Sequence, residues 1–144
     1  FATAYATAAP CGLGMVSTVT GTDFTLDVYV GYTTAITAAS KITIMVIEND
    51  VPETSPGAQS GGGGSYIHQH VLRGLVTSVS GDDISLSETD KYTKFSITGF
   101  DLNSLAYKID DMSKAHIVAF VHSADGKEVL NVQSSDMNET KKWD

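Results

Sequence analysis

The chain has 144 residues, with 17 acidic and nine basic side chains and a formal charge of −8. A nucleic-acid partner needs clustered cations to neutralise phosphates and release counterions, and the one basic dipeptide is Lys141-Lys142 beside the C-terminus; nucleic acid is excluded and anionic membrane surfaces are disfavoured. No apolar run approaches the roughly 20 residues of a spanning helix, and the lone Cys11 allows neither an internal disulfide nor a cysteine-based zinc cluster.

The length matches a single domain that buries roughly two-thirds of its unfolded surface in one core, so residues 1–144 are expected to form one unit. The sequence opens at Phe1 without the charged and apolar regions of a signal peptide, as expected of a mature product or an excised domain.

Met15 to Thr20 is rich in β-branched residues and reads as a strand. Thr20-Gly21-Thr22-Asp23 joins it as a hairpin to the clearest strand of the chain, where Phe24, Leu26, Val28, Val30 and Tyr32 alternate with polar or small partners and place one apolar face on a core. Lys41 to Ile47 is apolar on both faces past its midpoint, which suits an interior strand. Glu48 to Ser65 then carries Pro52, Pro56 and the run Gly61 to Gly64; glycine-rich backbone loses much entropy on ordering, and residues 53–65 are expected to form a flexible loop within the domain. The first 48 residues supply only about three strands, too few to close a core, so both sides of the glycine run are expected to share one sheet system.

Val71 to Val79 is expected as a strand closed by Ser80-Gly81-Asp82-Asp83, followed by short strands at Ile84 to Ser87 and Lys94 to Phe100. Leu102 to Met112 fits both a strand (Leu105, Tyr107, Ile109) and a helical turn (Leu102, Leu105, Ile109). Ala115 to Ser123 and Glu128 to Ser134 flank Ala124-Asp125-Gly126-Lys127, a strong hairpin signal. About eight short strands without a convincing amphipathic helix predict an all-β fold, an antiparallel β-sandwich with the immunoglobulin or fibronectin type III architecture as nearest model. The Cys-Trp-Cys pattern of true immunoglobulin domains is absent.

Tyr66 to Leu75, YIHQHVLRGL, raises the main question of chemistry. On a strand, His68 and His70 would project from one face and could offer two imidazoles to a metal, with Glu48, His116 or His122 as a third ligand from elsewhere. The favoured reading is structural: the histidines and Arg73 lock the base of the glycine loop to the sheet, Arg73 offering its five donors to carboxylates or carbonyls. His116 and His122 share a parity with Val118 and Phe120 and are expected to border a packed face. No Gly-x-Ser-x-Gly elbow marks a nucleophile, Gly61 to Gly64 lacks the Lys-Ser/Thr of a phosphate loop, and Asp82-Asp83 and Asp110-Asp111 lack calcium-loop spacing and read as turn residues. Cys11 reads as inert or exposed near the terminus. A sugar platform would need aromatic faces, and Tyr29, Tyr66, Tyr92 and Trp143 are the scattered candidates. No cofactor is expected.

ITIMVIEND, then a loop, then YIHQHVLRGLV, then AHIVAFVHSADGKEVLNVQS, in this order, resemble the C-terminal β-domain of the 28-kDa outer-membrane lipoprotein family of Bacteroidetes, over residues 15 to 137. The most specific piece is His68 to Arg73, where the family more often has Asn in place of Gln69. The resemblance implies a non-catalytic outer-membrane domain, surface-exposed or periplasm-facing, with an adhesin or receptor role. It also implies membrane attachment through an N-terminal lipid anchor, and a thioredoxin-like domain upstream, that lie outside these residues. Thr7-Ala8-Ala9-Pro10 is no lipobox, so Cys11 is not read as that anchor. Three functions follow as expectations: binding of a protein or glycan through loops, with Tyr66, His68, His70 and Arg73 as binding residues; a zinc site on His68 and His70; or a spacer for an upstream domain.

Overall fold

A computed structural model describes residues 9–33, 39–53, 66–84 and 92–143. The two-residue periodicity of the sequence becomes two antiparallel sheets packed face to face. Strands β1 (Cys11–Thr20), β2 (Asp23–Tyr32) and β3 (Ser40–Glu48) are followed by a small ribbon, β4 (Val51–Pro52) with β5 (Ile67–His68). Then come β6 (Val71–Leu75), β7 (Asp82–Asp83), β8 (Tyr92–Asp101), β9 (Ala115–Ser123), β10 (Val129–Asp136) and β11 (Thr140–Lys141). One sheet runs β11-β1-β2-β8 and the other β10-β9-β3-β6, with β7 also on β3. This order matches strands A, B and E against G, F, C and C′ of an immunoglobulin-like sandwich, with β11 added at the free edge of the first strand. Each sheet draws strands from both sides of residues 61–64, as the shared-core expectation requires.

The alternation in β2 is realised: Phe24, Leu26, Val28 and Val30 are fully buried. They meet Ile42, Ile44 and Val46 of β3 and Ala115, Ile117, Ala119 and Val121 of β9 in one core cluster. β3 lies between β9 and β6, the interior position that its two apolar faces predict. The β9–β10 hairpin forms as expected, with Ser123 donating to the Glu128 carbonyl at 2.9 Å and Gly126 at φ +70°.

Several boundaries differ. The first strand begins at Cys11 rather than Met15, because Leu13 and Met15 continue the buried parity. The strand expected over Val71 to Val79 ends at Leu75. There the Thr77 hydroxyl replaces a backbone acceptor by taking the Ile44 amide at 3.0 Å, and the turn falls at Ser78 to Gly81. Ile84 follows the short β7, and residues 85–87 of the expected Ile84 to Ser87 strand lie outside the described residues. Leu102 to Met112 is neither strand nor α-helix: a 3-10 turn, Leu102–Ser104, is capped by the Asp101 carboxylate, and Leu102 and Leu105 plug into the core. The expected loop at 53–65 lies outside the described residues apart from Glu53. His116, Val118, Phe120 and His122 line the outward face of β9, while the opposite parity packs the core.

Candidate functional site

The segment Tyr66 to Arg73 is not one strand. The chain bends at Gln69 and His70, and His70 takes φ +54°, so His68 in β5 and His70 in the bend do not share a strand face. This corrects the geometry that a two-imidazole metal site needs. The bend faces a second one at Asp50, with φ +55°, between β3 and β4. Polar side chains tie the two together: the His70 amide donates to Asn49 Oδ1 at 2.9 Å and Gln69 Nε2 to Asp50 Oδ1 at 2.8 Å. Asn49 in turn donates its amide to the Lys114 carbonyl, and Lys114 Nζ reaches Asp50 at 2.8 Å. The Lys114 ammonium, helped by the Gln69 amide, holds the Asp50 carboxyl below its ordinary range. His70 is exposed, and the half-buried His68 sits edge-on to Tyr66 with ring centroids 4.9 Å apart.

Arg73 is built deeper. Its Nε donates to Glu48 Oε2 at 2.8 Å and its other donor arm to Asp110 Oδ2 at 2.6 Å. Glu48 is 1% exposed and also accepts the amides of Asp110 at 3.0 Å and Asp111 at 2.6 Å. The guanidinium therefore finds carboxylates, as the sequence suggests, but the element it fastens is the 102–112 crossover rather than the glycine loop. The loop's base is held by Asn49, Asp50 and Gln69, the polar residues around the histidines.

The other candidate ligands are engaged elsewhere. Glu48 belongs to Arg73. His116 Nδ1 lies 2.7 Å from Asp136. His122 Nδ1 lies 2.9 Å from the Ser123 carbonyl, which can only accept, so that nitrogen carries the proton; Nε2, 3.1 Å from Thr43 Oγ1, can then accept the hydroxyl. Among the described residues no group of three or more His, Cys, Asp or Glu side chains converges on a point. The acidic pairs serve turns and ion pairs: Asp82 accepts the Ser78 amide, Asp83 meets Lys41 at 2.8 Å, and Asp111 caps the 3-10 turn Met112–Lys114. Cys11 is buried rather than exposed, and burial pushes its thiol up to about 11.

Of the scattered aromatics, Tyr29, Tyr92 and Trp143 meet on the outward face of the first sheet, whereas Tyr66 stays at the ribbon. Parity alone placed Tyr29 outward; what was missed is β11, which brings the C-terminal residues back along β1. A hint was present in Gly14 and Gly31, two residues without side chains at outward positions of otherwise well-formed strands.

The model of the family described as Outer membrane protein Omp28 matches residues 3–141. The chain belongs to this family. Among solved structures it is similar to HBP35 of Porphyromonas gingivalis, at 21% identity and a TM-score of 0.73, covering 92% of this chain and 42% of that one. It is also similar to a domain of the outer membrane lipoprotein Omp28 from Porphyromonas gingivalis, at 20% identity and a TM-score of 0.53, covering 92% of this chain and 91% of that one. These identities speak to the fold. No curated protein matches. The family places the domain in a protein of the outer membrane. No helix among the described residues is long and apolar enough to cross a membrane.

Proposed function

We propose that this domain is a non-catalytic recognition module, an adhesin or receptor element of an outer-membrane lipoprotein that binds a protein or glycan through groups displayed on a rigid sandwich. The observation that carries the reading is the anchored β4–β5 ribbon. Tyr66 and Ile67 stand about half exposed there, at 48% and 53%, although the backbone beneath them is fixed by the Asn49, Asp50 and Gln69 contacts. Large apolar side chains held in water on a fixed frame are the composition of a binding hot spot, because little entropy remains to be lost when a partner covers them. Polar groups that could do chemistry are instead spent on structure, Glu48 on Arg73 and His122 on Thr43.

Immobilised arrays of glycans and extracellular proteins test this reading. The domain is expected to bind a defined subset, and Tyr66→Ala combined with Ile67→Ser is expected to weaken ligands of the ribbon. A domain that binds nothing on either array would instead be a spacer.

A further inference from the structure

The outward face of the β11-β1-β2-β8 sheet carries a cleft of about 290 Å³, near the lower end of small-molecule sites. Its floor is backbone. A Cβ built on Gly31 would lie 2.8 Å from Trp143 Cζ3, and one on Gly14 would lie 3.6 Å from Trp143 Cδ2, so the two glycines form the bed on which the indole rests. Register sets the walls: Gly14 pairs with Tyr29 across β1 and β2, and Gly31 with Tyr92 across β2 and β8. Tyr29 has ring centroids 6.4 Å from Tyr92 and 6.5 Å from Trp143, tilted by 55° and 61°. Tyr92 and Trp143 remain about half exposed.

The rim is cationic on an acidic protein. Lys141 and Lys142 line the cleft, and Lys94 Nζ lies 5.8 Å from the centre of the Tyr29 ring. Two of the chain's nine basic residues thus line one site, and a third, Lys94, stands beside it paired with Asp27. No carboxylate lines it among the described residues, and the neighbouring Asp27 is taken up by Lys94 at 2.8 Å and Ser96 at 2.6 Å.

We propose that this cleft binds an acidic glycan, a sugar ring stacking on Trp143 and Tyr29 while its carboxylate meets the ammonium groups of Lys141 and Lys142. The proposal rests on the recognition reading above and moves the contact from the loops to a sheet face. A sugar ring offers apolar C–H patches to aromatic faces and hydroxyls to the Tyr29, Tyr92 and Thr140 oxygens. A peptide adding as a strand would need free backbone groups beside the cleft, yet β2 is paired with β1 and β8 and the outer edge of β1 is covered by β11 at Met15 and Val16. A neutral apolar ligand would leave the lysine rim without a role.

Trp143 is the only tryptophan, so its emission reports this site alone. Titration with a hyaluronan hexasaccharide, whose only charges are carboxylates, is expected to change that emission saturably. Affinity should fall about tenfold in Tyr29→Ala and in Lys142→Glu, and decline with added salt. Lys142 is exposed, so Lys142→Glu keeps the fold, and thermal melts confirm it for Tyr29→Ala. Equal binding of maltohexaose, an equal response to polyglutamate, or no emission change with the acidic sugar would each overturn the proposal. A domain that binds ligands on the arrays with unchanged Trp143 emission refutes the cleft and leaves the recognition reading standing. One that binds neither array nor hexasaccharide refutes both.

Discussion

The buried ion network is the place where one substitution should do the most damage. In Glu48→Ala, Arg73 keeps Asp110 as its partner, but that carboxylate is 60% exposed and Glu48 was the one inside. The variant leaves a guanidinium that is only 10% exposed short of its nearest counter-charge, and it strips the acceptor from the amides of Asp110 and Asp111. Removing one partner of a buried pair costs about 3–5 kcal/mol, and the orphaned amides push toward the upper end of that range. At about 3 °C per kcal/mol for a domain of this size, the melting temperature should fall by about 10 °C or more. Asp110→Asn removes a mostly solvated partner of the same guanidinium and should cost about 1 kcal/mol or less. Urea unfolding of both variants, with Arg73→Ala completing a double-mutant cycle, gives the comparison. Equal losses in Glu48→Ala and Asp110→Asn, or a loss below about 1 kcal/mol in Glu48→Ala, would refute the burial argument.

Gly74→Ala should destabilise by about 1–3 kcal/mol, because the new methyl would sit 2.9 Å from the Leu105 side chain and 3.0 Å from the Ala106 amide nitrogen; a neutral change in melting temperature would show that the crossover does not pack there. The Cys11 thiol, buried and raised from 9.0 to about 11, should resist iodoacetamide in the native domain and react once urea unfolds it. Since the folded state holds that proton more tightly than the unfolded chain, the thiol's contribution to stability is intact below pH 9 and declines between pH 9 and 11; melting curves across that window in wild type and Cys11→Ala isolate it. Zinc calorimetry should give no difference between the wild type and the pair His68→Ala, His70→Ala, whereas heat in the wild type that the variant loses would restore a metal role to the bend.

The strands were legible wherever one face met the core. β2 follows strict two-residue spacing over ten residues, a pattern with no helical competitor, while β3 and β9 are short β-branched apolar runs bounded by turn signals. Legibility failed where side chains stand in for backbone partners. Thr77 ends β6 by supplying an acceptor, and Asp101 caps a 3-10 turn inside a stretch whose apolar spacing fits two periods. The bend at Gln69-His70 was hidden for a related reason: its left-handed His70 is held by Asn49 and the neighbouring Gln69 by Asp50, about twenty positions earlier, and no local signal encodes that pairing. Arg73 could be read as a donor to carboxylates, but which carboxylates depends on the crossover passing over β6. The aromatic cleft is the extreme case, since it exists only because the last residues return to β1.

The central claim is that recognition happens on surfaces held by a frame that does not itself rearrange. Hydrogen exchange with and without a bound array ligand measures this directly. Protection confined to residues 66–73, or to the β1–β2 face and residues 140–143, with unchanged exchange in the core strands β3 and β9, is the predicted result. Altered exchange spreading through β3 and β9, or protection at neither surface, would contradict it.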